Sequence, residues 1–135
     1  MVELLAIKIP AQGLHNVTDQ VNLFIRKSGI NEGLCTVFIQ HTSASLIIQE
    51  NADPSARCDL ENWLNRLVPE NDSLYTHTFE GADDMPAHIK SAITATSIAI
   101  PVLQNKMALG TWQGLYLWEH RKQSGQRRLV IHLSD

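Results

Sequence analysis

The stretch LGTWQGLYLWEHR (109–121), followed after KQSGQ by RRLVIHL (127–133), decides how the rest of the chain is read. Both segments are rich in the branched and aromatic residues that suit a pleated, half-buried surface, and the polar, glycine-containing stretch between them is a turn signal, so the pair predicts a β-hairpin. Successive side chains on a strand point to opposite faces. Trp112, Gly114, Tyr116 and Trp118 therefore share one face, and Gln113, Leu115, Leu117 and Glu119 share the other.

Working outward, Val2 to Ile9 reads as an opening strand stopped by Pro10, and Leu34 to Gln40 and Ser45 to Gln49 read as two more. A helix capped by Asn16 or Thr18 carries Val21, Phe24 and Ile25 at helical spacing and stops at Gly29. Asp53-Pro54 opens a second helix whose apolar stripe is Leu60, Trp63, Leu64, Leu67 and Val68, with Pro69 closing it. Ser73 to Phe79 reads as a short strand or an ordered loop. After the turn Glu80-Gly-Ala-Asp-Asp, a third helix is expected from Pro86 to about Thr96, with Asp84 close to its start, and Ser97 to Val102 reads as a strand. Six to eight strands with three helices, no regular βαβ alternation and no glycine-rich phosphate loop predict an α+β fold, mainly antiparallel and sandwich-like. The 135 residues are expected to form one domain, 1–135, because nothing in them reads as a linker or repeat.

The composition, 44% hydrophobic and 19% charged, suits a chain that folds by burial. A formal charge of -3 offers no basic surplus for a phosphate backbone, so no nucleic-acid partner is expected. Neither is a membrane, since no apolar run reaches spanning length. Two cysteines and the lack of a signal-peptide pattern lead to the expectation of a reduced, cytoplasmic setting.

Four segments place polar groups inside good core-forming runs: His41 to Ser45, Glu50 to Asp53, His77 with Asp83, Asp84 and His88, and Gly110 to Gln113 running on to Glu119. His41 ends an apolar strand, where a neutral imidazole can bind a metal or move a proton, though a plain hydrogen bond to a carbonyl explains it too. His88, in the first turn of its helix, is kept neutral by the positive dipole end, and with His41 and His77 it is a candidate three-histidine site with an open position. Ser43 and Ser45 lack a nucleophile-elbow context. Asp53, Asp83 and Asp84 are adequately explained as helix-start residues. Glu119 follows an apolar strand and is expected to be partly buried, either paired with Arg128 or Arg121 across the hairpin or catalytic.

Taken in order, His41-Thr42-Ser43-Ala44-Ser45-Leu46, Asn51-Ala52-Asp53, Tyr75-Thr76-His77, Pro86-Ala87-His88-Ile89-Lys90 and Gly110-Thr111-Trp112-Gln113-Gly114, with Glu119 and Arg128, resemble the YjbQ-type family, also called the secondary thiamine-phosphate synthase family. The resemblance spans nearly the whole chain. It implies a homotrimer with pockets near the subunit contacts, with His41, His77 and His88 converging and Glu119 and Arg128 nearby. It also implies a weak transferase activity joining an aminopyrimidine diphosphate to a thiazole phosphate, with release of pyrophosphate.

On that reading His41, His88 and Glu119 are the catalytic candidates, while His41, His77 and His88 are the metal candidates. Ser45, Asp53, Asp84, Lys90, Thr111, Trp112, Gln113 and Arg128 are candidate contacts to an anionic or phosphorylated small molecule, Lys90, Arg121 and Arg128 being its cations. Asp53, Asp84 or Glu119 would hold Mg²⁺ if the diphosphate chemistry operates, whereas three histidines suit Zn²⁺ or a similar ion better. A non-catalytic metabolite- or metal-binding or assembly module is the alternative.

Overall fold

Alternation along each strand and two-sided pairing of the most apolar strands generate the architecture. The computed structural model describes residues 1–135, with eight strands and three helices in the order β1 (Val2–Ile9), β2 (Gly13–Asn16), α1 (Thr18–Ser28), β3 (Glu32–Ile39), β4 (Ala44–Glu50), α2 (Pro54–Leu67), α3 (Asp84–Ile93), β5 (Ser97–Leu103), β6 (Lys106–Met107), β7 (Gln113–Glu119) and β8 (Gly125–Ser134). All strand pairs are antiparallel, in a five-stranded sheet β1-β8-β3-β5-β6 and a three-stranded sheet β2-β7-β4. The fold is therefore the α+β, mainly antiparallel class that the residue pattern predicts.

The expected hairpin does not form. β7 and β8 are both strands, but β7 pairs with β2 and β4, while β8 pairs with β1 and β3. Each is an interior strand of its own sheet, with its backbone groups paired along both edges. Leu115 and Leu117 of β7 enter the main core from one sheet, and Leu129, Ile131 and Leu133 of β8 enter it from the other. A hairpin would have placed both sets on one side of the core with nothing opposite.

The alternation along β7 is as read from the sequence. Leu115 and Leu117 face the main core with Val21 and Ile25 of α1, and Tyr116 and Trp118 face a second cluster with Leu14, Leu64 and Val68 beneath α2. β7 is thus buried on both faces. Asp53 caps α2 by accepting from the Ser55 amide at 2.9 Å, with Pro54 in the first turn. Gly29 takes φ 76° at the end of α1, a left-handed conformation that glycine adopts without a side-chain clash. Neither expected residue caps α1: the N-cap position is Val17, which makes no side-chain cap bond, Thr18 is the first helical residue, and Asn16, two residues before it, accepts from the Thr18 amide at 3.0 Å.

Of the two readings of residues 73 to 79 the structure has the loop, with no strand there. Two local expectations are corrected. The helix α3 begins at Asp84 and ends at Ile93, earlier than expected at both ends. The α2 stripe is narrower than its apolar spacing predicts, because Trp63 and Leu67 are exposed beside the buried Leu64. No helix is long and apolar enough to cross a membrane.

Because Leu117 is fully buried where the two sheets face each other, Leu117→Ala is expected to destabilise the fold by about 3 kcal/mol, read as a lower urea midpoint at unchanged slope.

Candidate functional site

The helix α3 supplies two of the three groups that meet at the main cluster. Asp84 and His88 are four residues apart, a spacing that stacks side chains on one helix face. The Asp84 carboxylate is buried, and its Oδ2 lies 2.7 Å from His77 Nε2 and 3.3 Å from His88 Nε2. His77 arrives from the irregular segment after α2, and the two imidazoles meet edge-on with centroids 5.3 Å apart.

Neighbours hold this trio. Arg121 Nη1 donates to Asp84 Oδ1 at 2.9 Å, its Nε donates to Asp83 Oδ2 at 3.0 Å, and its Nη2 donates to the Glu80 carbonyl. Burial alone would raise the Asp83 carboxyl, but the Arg121 and Lys122 donors outweigh it and hold Asp83 below the usual carboxylate range.

His88 Nδ1 lies 3.0 Å from the Thr42 carbonyl, which can only accept, so Nδ1 carries the proton and Nε2 presents a lone pair. That lone pair faces the Asp84 oxygen. Two electron-rich atoms at 3.3 Å need a cation between or beside them, either a proton or a metal ion. The three ligand atoms all lie within 4.8 Å of one another, and ligands about 2 Å from a tetrahedral ion stand roughly 3.3 Å apart.

His41 does not join them, a correction to the expected three-histidine site. Its Nε2 faces the Arg128 backbone amide at 3.0 Å, and its Nδ1 faces Arg127 Nη1 at 3.2 Å. Burial first, then the charges of Arg127 and Arg128, hold the imidazole below its ordinary value of 6.5, against a smaller opposing pull from Glu119. Asp84 takes the place in the cluster that His41 was expected to fill.

Glu119 is buried as expected, but its partner is Arg127 rather than Arg128 or Arg121. Arg127 Nε and Nη2 each donate to the carboxylate at 2.7 Å, and Nη2 also donates to Ser43 Oγ at 2.9 Å. Alternation along β8 is the reason: Arg127 shares the inward face of Leu129, Ile131 and Leu133, while Arg128 points outward. Arg121 reaches Glu119 only through its backbone amide.

The remaining candidates lie elsewhere. Ser45 bonds His120 Nε2 at 2.8 Å in the interior, and Lys90 is buried, donating to Asn65 Oδ1, with burial lowering its pKa. Asp53 is an exposed helix cap. Thr111 and Trp112 form an exposed turn leading into Gln113 at the start of β7, held by Asn51 Nδ2 donating to the Thr111 and Gln113 carbonyls, and the three are not joined to the histidine cluster. Arg121, foreseen as an anion contact, is instead committed to Asp83 and Asp84.

Sequence reading did not pair Arg127 with Glu119, and it passed over His120. The first was available from the alternation in 127–133. His120 has no comparable signal, since both Glu119 and His120 are buried where β7 ends and the strict two-residue period breaks.

An antiparallel two-sheet domain with a His/Asp cluster set at the start of a helix defines a class of small α+β proteins with one candidate metal centre. The family model for UPF0047 YjbQ-like proteins matches residues 4–135. The chain is 51% identical to a UPF0047 protein of Synechocystis over 98% of its own length and 90% of that protein's. It is 45% identical to YjbQ of Escherichia coli O157:H7, over 96% and 94% of the two chains. Among solved structures, a hypothetical protein from Thermus thermophilus superposes with TM-score 0.88 at 30% identity, covering 98% of this chain and 99% of the other. An uncharacterised YjbQ/UPF0047 protein from Clostridium acetobutylicum superposes with TM-score 0.84 at 30% identity, covering 99% of both chains. The chain belongs to the YjbQ/UPF0047 family.

Glu119→Gln would leave the Arg127 charge buried without its counter-ion, and a loss of about 3 to 5 kcal/mol is expected by chemical denaturation. His120 gives a pH dependence. Burial, then the Lys90 and Arg127 charges, lower its pKa from 6.5 to about 3. The unfolded chain takes this proton first, so the contribution is complete above pH 6.5 and drains away as pH falls towards 3. A His120→Gln variant should show a shallower acid limb in urea midpoint against pH, and an unchanged limb would contradict the assignment.

Proposed function

We propose that this chain binds one divalent transition metal ion through His77 Nε2, Asp84 Oδ2 and His88 Nε2, and acts through it on a phosphorylated or otherwise anionic small molecule. The supporting observation is the His88 tautomer: with Nδ1–H given to the Thr42 carbonyl, Nε2 and Asp84 Oδ2 turn their lone pairs toward a common point. Asp84 is oriented by Arg121 as outer-shell partners orient metal-binding carboxylates.

Two imidazoles and one carboxylate suit Zn²⁺ or a similar ion, whereas Mg²⁺ prefers oxygen donors and is poorly served here. Such an ion supplies Lewis acidity and an acidified water at its open position. The protein's part is to fix the ligands. His77, nearly half exposed, leaves that position open to solvent. Ser43 is held by Arg127 and Ser45 is sealed in the interior against His120, so neither of these two candidates is presented to a ligand as a nucleophile.

The coupling of aminopyrimidine diphosphate to thiazole phosphate that the family resemblance implies is one reaction to assay. Its demand for Mg²⁺ is poorly matched by this ligand set, which favours hydrolytic or lyase-type chemistry on an anion. We also propose that the chain works as a homotrimer. Leu74 and Phe79, which bracket His77 in sequence, are 85% and 98% exposed, and Trp63 lines an apolar groove with Leu60, Ile47 and Ile98. Assembly would cover such surface.

Chelator-treated protein titrated with Zn²⁺ and Co²⁺ is expected to take up one ion per chain, with visible Co²⁺ bands reporting mixed nitrogen and oxygen ligands. His88→Ala should weaken uptake by more than about a hundredfold without lowering the melting temperature of the metal-free protein. A wild-type protein that takes up no stoichiometric ion would defeat the proposal. Metal uptake with no turnover on phosphate esters, diphosphates or the thiazole and pyrimidine pair would leave a metal-binding module, the non-catalytic reading.

A further inference from the structure

Across the Thr42 peptide from the histidine cluster lies a second arrangement of opposite sign. A hollow of about 460 Å³ opens between the end of β3, residues 40–43, Thr96 and Arg127, and its rim carries Gln40, Thr42 and Thr96. Arg127, nearly wholly buried, reaches into its floor beside His41.

Counting hydrogens shows what the floor lacks. A guanidinium has five N–H groups. Nε–H and one Nη2–H go to Glu119, and the other Nη2–H goes to Ser43 Oγ. Only His41 Nδ1, at 3.2 Å, faces Nη1. His41, however, faces two donors, because the Arg128 amide points at Nε2 from 3.0 Å. A neutral imidazole has one acceptor nitrogen. The Arg128 amide belongs to the main chain of β8 and cannot turn away, so it claims Nε2 and leaves the ring proton on Nδ1. Nδ1–H and the Nη1–H that faces it then meet with no acceptor between them, and the second Nη1–H has no acceptor in the chain either.

An oxygen placed to one side of that 3.2 Å gap lies within hydrogen-bonding reach of both nitrogens, and each such bond is charge-assisted if the oxygen is anionic. We propose that this hollow is an oxyanion site, which takes a phosphate or carboxylate group of a small molecule on Arg127 Nη1 and His41 Nδ1, with the Thr42 and Thr96 hydroxyls at its rim.

The charges agree with that assignment. Glu119, the one carboxylate in contact with Arg127, grips the far edge of the guanidinium and does not line the hollow. Arg128 adds a second positive charge close to His41. Of the three cations foreseen for an anion, Arg121 and Lys90 are committed to Asp84 and Asn65 and the Arg128 side chain points outward from β8, so Arg127 takes that role. The inference rests on the reading that the ligand is anionic and not on the metal. The Thr42 residue that offers its carbonyl to His88 also walls this hollow, so an anion held here would lie beside the metal cluster.

The test uses metal-free, full-length protein, so a failed metal site leaves it standing and a failed anion site leaves the metal titration standing. Inorganic phosphate and acetate are titrated separately, with affinity read by calorimetry and the His41 ring ¹⁵N signals read by NMR. Saturable binding of either anion is expected, with the His41 Nδ1 resonance moving in step with occupancy. His41→Ala should weaken that binding by about tenfold, the loss of one charge-assisted hydrogen bond. Which anion binds more tightly identifies the group carried by the natural ligand. The proposal is overturned if neither anion moves the His41 ring signals of the wild-type protein, or if His41→Ala binds them as tightly as the wild type does.

Discussion

The ion pair between Glu119 and Arg127 is the constraint on which the rest of the structure turns. The chain leaves the small sheet at the end of β7 and enters the large one at the start of β8, and this pair closes the crossing with two 2.7 Å bonds in the interior. A buried pair gains little stability by itself, because removing both charges from water costs nearly what their attraction returns. What it supplies is position. It fixes where Arg127 presents its remaining edge, and the Glu119 carboxylate accepts the Arg121 amide, so that the side chain gripping Asp84 starts from a defined point.

Two clusters of opposite electrostatic character follow from this one crossing. Around Asp84, two imidazole nitrogens face the one carboxylate oxygen that Arg121 does not hold; around His41, N–H donors outnumber the acceptors. In each case a main-chain group decides the matter by settling the imidazole tautomer, the Thr42 carbonyl for His88 and the Arg128 amide for His41. Backbone partners cannot rotate away as side chains can, so the imbalance persists in the unliganded fold.

Much of the fold was legible in the sequence because it is local. The period of β7, the Asp53-Pro54 start of α2 and the Gly29 stop of α1 depend on neighbouring residues only. The pairing of β7 and β8 was not legible. Short separation suggested a hairpin, and the preference of each strand for two other neighbours is a property of the whole core. The site divides in the same way. Asp84 and His88 share a helix face by spacing, whereas the approach of His77 depends on an irregular segment, and the exclusion of His41 depends on a register that no local pattern encodes. The burial of Glu119 followed from its strand, but its partner needed the alternation of β8 applied to two adjacent arginines.

The order of strands in the large sheet carries a consequence for synthesis. β8, the last strand in sequence order, is not an edge but sits between β1 and β3, with Val2 opposite His132. Until it emerges, the first strand has no partner and β3 lacks one of its two, so the nascent chain carries unpaired backbone edges beside apolar faces. Closure is then a single late event joining segments far apart in the polypeptide, the kind of topology that folds slowly and gains most from a chaperone that shields sticky intermediates.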